Sequence, residues 1–194
     1  MKTNTLLLGL GFCILLSCNS GKKEEESVKA YEPAEETPKV DPVKRGEQLV
    51  NAVGCHDCHT PKKFGEKGPE LDTSRLLSGH PSDEGLPPYD SNTAKSYILF
   101  NMGLTAATGP WGTSFSANLT PDDTGIGNWS EEQFLRSIKK GLYKGMEGSR
   151  PVMPPMPWQS YSNLPDDDLK AIFTYLKTIP AVENVVPAYM PPKM

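Results

Sequence analysis

Cys55-His56-Asp57-Cys58-His59 is the stretch of this sequence whose residue types and spacing dictate a chemistry. Two thiols separated by two residues can add across neighbouring vinyl groups of a haem, and a histidine directly after them reaches the iron from the same turn. C-x-x-C-H is therefore a geometric demand of covalent haem attachment. Two other chemistries share the thiol spacing. A structural zinc site needs a second pair of ligands, and after Cys58 the chain has no cysteine and one further histidine, His80. A thiol-disulfide motif opens a helix beside a βαβ unit, whereas this motif follows a helical stretch. The pattern predicts one haem c on Cys55 and Cys58, with His59 as an axial iron ligand.

The other axial position wants a thioether or a second imidazole, and a thioether favours ferrous iron. Val152-Met153-Pro154-Pro155-Met156-Pro157-Trp158 offers two methionines in a proline-stiffened segment expected to run extended, and either can reach. Met102 and Met146 belong to stretches where methionine more often fills a core. His80 would make a bis-histidine site. Trp111, Trp129, Trp158 and Tyr161 either line the haem or pack as ordinary aromatics.

Positioning such a site takes a helix on each side of it. Pro42 to Gly54 reads as a first helix, with Gly46, Leu49, Val50 and Val53 near one face and Gly54 ending it. Thr60 to Asn92, rich in Pro, Gly and Ser, predicts an irregular loop, and Thr93 to Met102 a short helix carrying Ile98, Leu99 and Phe100. Ser130 and Gln133 form a capping box, and Trp129 with Phe134 a hydrophobic staple, for a helix from Glu131 to Lys140. The last helix is the plainest. Pro165 stands at its first position, Asp166-Asp167-Asp168 complements the dipole, and Leu169, Ile172, Phe173, Leu176 and Ile179 mark one apolar face before Pro180.

The front of the chain reads differently. Lys2 and the apolar run Leu6 to Leu16 make a signal peptide, too short to span a bilayer stably. Ser17-Cys18 resembles the lipobox of bacterial lipoproteins, which predicts cleavage after residue 17 and a diacylglyceryl anchor on Cys18. Residues 18–42, rich in Glu, Lys and Pro, lack the apolar residues for a core and are expected to form a disordered tether. Its ends would lie about 27 Å apart as a flexible coil. The domain proper is 43–194, on the periplasmic side of a membrane. It carries seventeen acidic against fifteen basic side chains, a net charge near −2. That balance shows no nucleic-acid footprint. Arg136, Lys139, Lys140, Lys144 and Arg150 cluster, either as a solvated helix end or as a contact for an acidic partner.

Taken together, C-x-x-C-H after a first helix, Gly68-Pro69-x-Leu71, a Met-Pro segment and a last helix with Thr174-Tyr175-Leu176-Lys177 resemble the class I c-type cytochromes. Ser116-Ala117-Asn118-Leu119-Thr120-Pro121-Asp122, Trp129-Ser130-Glu131-Glu132-Gln133-Phe134, and Met156-Pro157-Trp158 followed by Asp168-Leu169-Lys170-Ala171-Ile172 resemble the cytochrome c subunits of bacterial membrane-bound dehydrogenases. The likeness runs from Val43 to Pro187. It implies an all-α fold in which first and last helices cross around one covalent haem, with a long irregular insertion. It implies Met156 as the sixth ligand and Pro69 as the residue whose carbonyl accepts the His59 imidazole N–H. It also implies Gly46 and Tyr175 at the helix crossing. Those subunits often carry three haem motifs, and this chain has one.

The function expected is a mono-haem electron carrier without catalytic residues, cycling Fe(III)/Fe(II) between redox proteins. The rival readings are a haem-based ligand sensor with an open sixth position, and a cytochrome subunit docked in a larger dehydrogenase complex.

Overall fold

The computed structural model describes residues 40–192. The predicted signal peptide, Cys18 and all of the tether up to Lys39 lie outside them. No helix among the described residues is long and apolar enough to cross a membrane.

Asp41 opens helix α1 (Pro42–Ala52) by accepting from the Val43 N–H at 2.9 Å, with Pro42 filling a first-turn position that needs no donor. Gly46, Leu49 and Val50 are buried on one face. That face meets helix α6 (Asp166–Leu176), whose Leu169, Ile172, Phe173 and Leu176 are buried. Gly46 is where the backbones touch. A Cβ there would stand 2.0 Å from the Ala171 carbonyl oxygen and 2.7 Å from the Tyr175 Cβ, so the expected Gly46–Tyr175 crossing is present. Arg45 pins the pair with two hydrogen bonds of 2.8 Å to the two Asp168 carboxylate oxygens.

Helix α4 (Glu131–Lys139) brings Phe134 into the same core, its ring 5.3 Å from that of Phe173. Ser130 caps it by accepting from the Gln133 N–H at 3.1 Å. The capping box is half formed, because the Gln133 amide donates to the Lys144 carbonyl at 2.8 Å instead of turning back. At the last helix Pro165 is the residue before the first turn, not the first helical residue, and Asp166, Asp167 and Asp168 occupy the dipole's positive end as expected.

The all-helical expectation is corrected between α1 and α4. Helix α2 (Cys55–His59) leads into the hairpin of β1 (Lys62–Gly65) and β2 (Gly68–Leu71), paired Lys62 with Leu71 through Gly65 with Gly68. This replaces the first part of the irregular loop. A second, three-stranded antiparallel sheet follows the short helix α3 (Ser91–Ala94), in the order β3 (Leu99–Phe100), β4 (Ala106–Gly109) and β5 (Gly112–Phe115). The helix expected from Thr93 to Met102 is therefore wrong in extent. Asp90 caps its start at Thr93 with a 2.9 Å bond, but the helix stops at Ala94 and Leu99-Phe100 goes extended as β3. Ile98 and Phe100 are exposed, not core.

The C-terminal segment lies along the insertion. Met190 and Thr113 exchange backbone hydrogen bonds of 2.8 and 3.0 Å, which covers the outer edge of β5. Helix α5 (Trp158–Tyr161) completes the elements.

Candidate functional site

Gly54, left-handed at φ 75°, turns the chain from α1 into α2. Within this single helical turn Cys55 and Cys58 stand three residues apart on one face, with His59 beside them. Cys55 packs against the apolar core, and burial pushes its thiol up to about 11. Burial raises Cys58 as well. A reactive C-x-x-C needs one thiol pushed the other way, so the environment opposes a disulfide-exchange role. The two cysteines are not joined in a disulfide.

The His59 ring is crowded by protein yet keeps accessible surface, and burial lowers its basicity. Its Nδ1 lies 2.8 Å from the Ala117 carbonyl oxygen. A carbonyl only accepts, so Nδ1 carries the proton and the Nε2 lone pair is left for another partner. The expectation that Pro69 supplies this carbonyl is overturned. Pro69 sits in β2 opposite Phe64, exposed, because the hairpin carries it away from the imidazole. The His59 backbone is held too, its carbonyl accepting from the Gly79 N–H at 2.8 Å.

Two residues not singled out from sequence fix the end of α2. The Lys62 ammonium donates to the carbonyls of His56, Asp57 and Thr60 at 3.2, 2.9 and 2.5 Å, a cation on the negative end of the helix. The buried Thr60 hydroxyl lies 2.9 Å from His56 Nδ1 and accepts from the Leu77 N–H at 2.9 Å. Tyr161 donates to the Val53 carbonyl at 2.8 Å, tying α5 to the residues just before the cysteines.

The methionine segment is turned rather than extended. The Trp158 N–H donates to the Met156 carbonyl at 2.9 Å across Pro157 (φ −84°, ψ 51°), an inverse γ-turn. Trp158 lies flat on Gly141, where a Cβ would come within 2.3 Å of the indole. From the other side Ser114 donates to the Pro154 carbonyl at 2.5 Å. Met156 lines a cavity of about 180 Å³ with Val152, Pro154, Pro155, Pro157 and Trp158. Met102 and Met146 are exposed, at 76 % and 52 %, so neither is core filler. His80 is fully buried with both ring nitrogens engaged, Nδ1 with the Thr105 hydroxyl at 2.9 Å and Nε2 with the Glu84 carbonyl at 3.1 Å. No lone pair remains on it for a metal.

Each member of the basic cluster has a local partner. Arg136 donates to the Gly145 carbonyl, Lys139 pairs with Asp166, Lys140 pairs with Glu147, and Arg150 stacks 3.7 Å over Tyr143, with Lys144 nearer that ring's rim. Trp129 packs against the helical core.

Two thiols one turn apart beside an imidazole fixed through Nδ1 form a donor set that fits a covalently attached haem, whereas the cavity at Met156 is lined by its own segment, Val152 to Gln159, and by neither the thiols nor His59. The wider comparison agrees. The family model for cytochrome c matches residues 43–180, and the chain belongs to the cytochrome c family. It is 33% identical to the gluconate 2-dehydrogenase cytochrome c subunit of Pantoea cypripedii, across 69% of this chain and 22% of that protein. It is 31% identical to the cytochrome c subunit of a quinone alcohol dehydrogenase of Gluconobacter oxydans, across 69% and 20%. A diheme c-type cytochrome of Cereibacter sphaeroides is 29% identical across 72% and 36%. The chain thus spans about a fifth of the length of the two dehydrogenase subunits.

The signal for the His59 partner was present in Ser116-Ala117-Asn118-Leu119-Thr120-Pro121, but a backbone carbonyl has no residue type to read. Lys62 and Thr60 carry no motif at all.

Proposed function

We propose that this chain is a mono-haem electron carrier of the cell envelope, held on the periplasmic side of a membrane by lipid on Cys18. The observation that carries the reading is the His59 Nδ1–H to Ala117 carbonyl bond, which leaves the lone pair on Nε2, beside the turn that bears both thiols. Haem c attached there supplies one-electron Fe(III)/Fe(II) exchange. Cys55 and Cys58 would anchor it and His59 would bind its iron, with the Ala117 carbonyl raising the imidazole's basicity and fixing its plane. Met156 would supply the second axial iron ligand, as the resemblance to the dehydrogenase cytochrome subunits implies, from a backbone fixed by the γ-turn at Pro157. With both positions taken, small ligands are kept out, which disfavours a sensor.

The test is optical. The matured protein is expected to hold one haem per chain, to be six-coordinate and low-spin in both oxidation states, and to resist carbon monoxide when ferrous. Met156→Leu should abolish the thioether-to-iron band while Met153→Leu keeps it; the reverse pattern moves the ligand to Met153. A chain that releases its pigment into acidified organic solvent would sink the attachment to Cys55 and Cys58.

A second reading is favoured by the relatives that serve dehydrogenases: this chain takes electrons from a dehydrogenase's catalytic subunit. Reversing Lys139 and Lys140 tests the basic cluster as the contact. Because both already pair with Asp166 and Glu147, the exchange rate and its salt dependence are expected to change little.

A further inference from the structure

From Ser96 to Pro121 the sequence runs 26 residues without an acidic or basic side chain, in a protein that is 23% charged. Within that run Tyr97, Ile98, Phe100, Met102 and Leu104 are exposed, by 65, 48, 44, 76 and 41 %. All five lie on β3 or the turns flanking it. Apolar side chains gathered on one surface segment mark an interaction site more often than chance exposure does.

The turn is built rather than slack. Leu104 is left-handed at φ 59°, a conformation rarely adopted by a residue other than glycine. The buried Asn101 holds it there. Its carbonyl accepts from the Leu104 N–H at 3.0 Å, its side-chain oxygen accepts from the Ala106 N–H at 2.9 Å, and its amide donates to the Thr105 hydroxyl and the Glu84 carboxylate at 3.1 and 3.0 Å. The Glu84 charge beside the turn is thus engaged from below. His80 completes the support through Thr105. This network fixes an apolar surface before any partner arrives.

The same turn connects directly to the axial histidine. The Thr105 carbonyl accepts from the Ser116 N–H at 2.8 Å, and the next residue, Ala117, accepts from His59 Nδ1. One backbone hydrogen bond and one residue therefore separate the base of the exposed turn from the imidazole's partner.

We propose that the Tyr97–Leu104 turn is the face through which this protein meets a second copy of itself for electron exchange between their haems. The proposal rests on the electron-carrier reading above. Two copies of a domain with net charge near −2 repel, and an uncharged face is one that self-contact does not load with further like charge. The five side chains form a patch on the order of a few hundred Å², against roughly 800 Å² per partner in a stable complex. That size suits the brief encounter of electron transfer, not a permanent dimer. The basic cluster of residues 136–150 makes a poorer contact, since Lys139 and Lys140 already pair with Asp166 and Glu147.

The test uses the full-length, haem-loaded chain, half reduced, with electron self-exchange read from exchange broadening of the haem methyl resonances. Ile98→Glu with Met102→Glu should slow self-exchange by about tenfold or more. The optical spectrum should stay as in the parent, and Lys139→Gln with Lys140→Gln, which lowers the net charge by the same amount away from the turn, should slow self-exchange far less; equal slowing would overturn the proposal. An unaltered rate in the first variant overturns the proposal. So does a shifted haem spectrum, which would make these side chains part of the cofactor's lining. In a Cys18→Ser chain, which cannot take the lipid, loss of binding to phosphatidylcholine/phosphatidylglycerol vesicles on adding the two turn substitutions, with self-exchange unaltered, would assign the turn to a lipid surface and likewise overturn it. A parent chain that takes up haem but is not reduced by ascorbate would instead remove the electron-carrier reading, and this proposal with it.

Discussion

The helical frame and the segment inserted between α1 and α4 are held together by different physics. Of the buried apolar core cluster, Leu49, Val50, Phe134, Leu169, Ile172, Phe173 and Leu176 come from helices, and only Leu77 and Ile126 from the insertion. The buried polar residues reverse this. Thr60, Asp72, Ser78, His80, Asn101, Thr105, Thr108, Thr113, Ser114, Asn118 and Thr120 lie between α2 and α4, and of the rest Ser137 is on α4 and Asn184 in the C-terminal segment. Among the described residues every buried side-chain polar atom has a partner. The frame rests on area removed from water, about 1.5–3 kcal/mol for each large side chain. The insertion rests on side chains that satisfy backbone groups, each modest when made and costly when broken. The site stands where the two meet, with its thiols on α2 just after the frame helix α1 and its imidazole bonded to an insertion carbonyl.

The frame should break hardest under a volume change. Gly46→Val places methyl groups against the Ala171 carbonyl and Tyr175, backbone and packed side chain that cannot step aside. A loss of about 3 kcal/mol or more is expected in thermal or denaturant unfolding, with haem uptake falling in parallel. If the variant unfolds like the parent, the α1–α6 crossing is looser than described. The insertion should break under loss of a hydrogen-bonding group at constant size. Asn184 comes from the C-terminal segment, donates to the Ser78 and His80 carbonyls at 2.7 and 2.9 Å, and accepts from the Ser82 N–H at 2.9 Å. Asn184→Leu leaves those groups unpaired. About 2–3 kcal/mol should go, although the new side chain is more apolar. A neutral result would mean water satisfies them and the contrast between the regions is overstated.

The same contrast decides what sequence could reveal. Apolar residues at helical spacing exposed α1 and α6 with their buried faces, because burial on a helix imposes a period, and capping chemistry exposed α4. Polar networks impose none. His80 reads as an available ligand in sequence and is a structural brace in the fold, and Asn101 and Asn184 give no pattern at all. The sheets were hidden for a related reason: Gly-Pro-Glu-Leu and Ala-Ala-Thr-Gly lack the alternation that marks a strand, and the buried pattern of β4 is continuous. At the site, C-x-x-C-H was legible because the chemistry itself fixes the spacing. The His59 partner was misassigned to Pro69, since any backbone carbonyl that the fold delivers will serve.

Acid should separate the regions next. Asp72 is buried at the foot of the β1–β2 hairpin. It accepts from the Ser74 hydroxyl and N–H at 2.6 and 3.0 Å, and pairs with Lys63 and Arg75, each at 2.8 Å. Lys63, then Ser74, then Arg75 hold its carboxyl far below the usual carboxylate range against the opposing effect of burial. The folded value lies below the unfolded one, so the stabilisation is complete above about pH 4. It drains away as pH falls through the unfolded value and is gone below the folded one. Unfolding followed from pH 6 to pH 2 should show this loss in the parent and a shallower slope in Asp72→Asn, which should cost about 1–2 kcal/mol at neutral pH. Identical slopes would place the acid sensitivity elsewhere.

The smallest effect belongs to the ion pair that decorates the frame. Arg45 and Asp168 join α1 to α6 with bidentate geometry, and Arg45 holds the Asp168 carboxyl below its ordinary value. The guanidinium side chain is 42% exposed, however, so solvent and salt screen the attraction while the apolar interface beneath is untouched. Arg45→Met should lower the melting temperature by no more than about 2 °C at low ionic strength, and the gap should close in about 0.5 M salt. The Asp72→Asn deficit should survive the same salt, because its carboxylate is only 2% exposed and two of its bonds come from a neutral serine. If salt erased both differences equally, Asp72 would be a surface charge cluster like the other. If it erased neither, the helices would depend on the ion pair more than their packed faces imply.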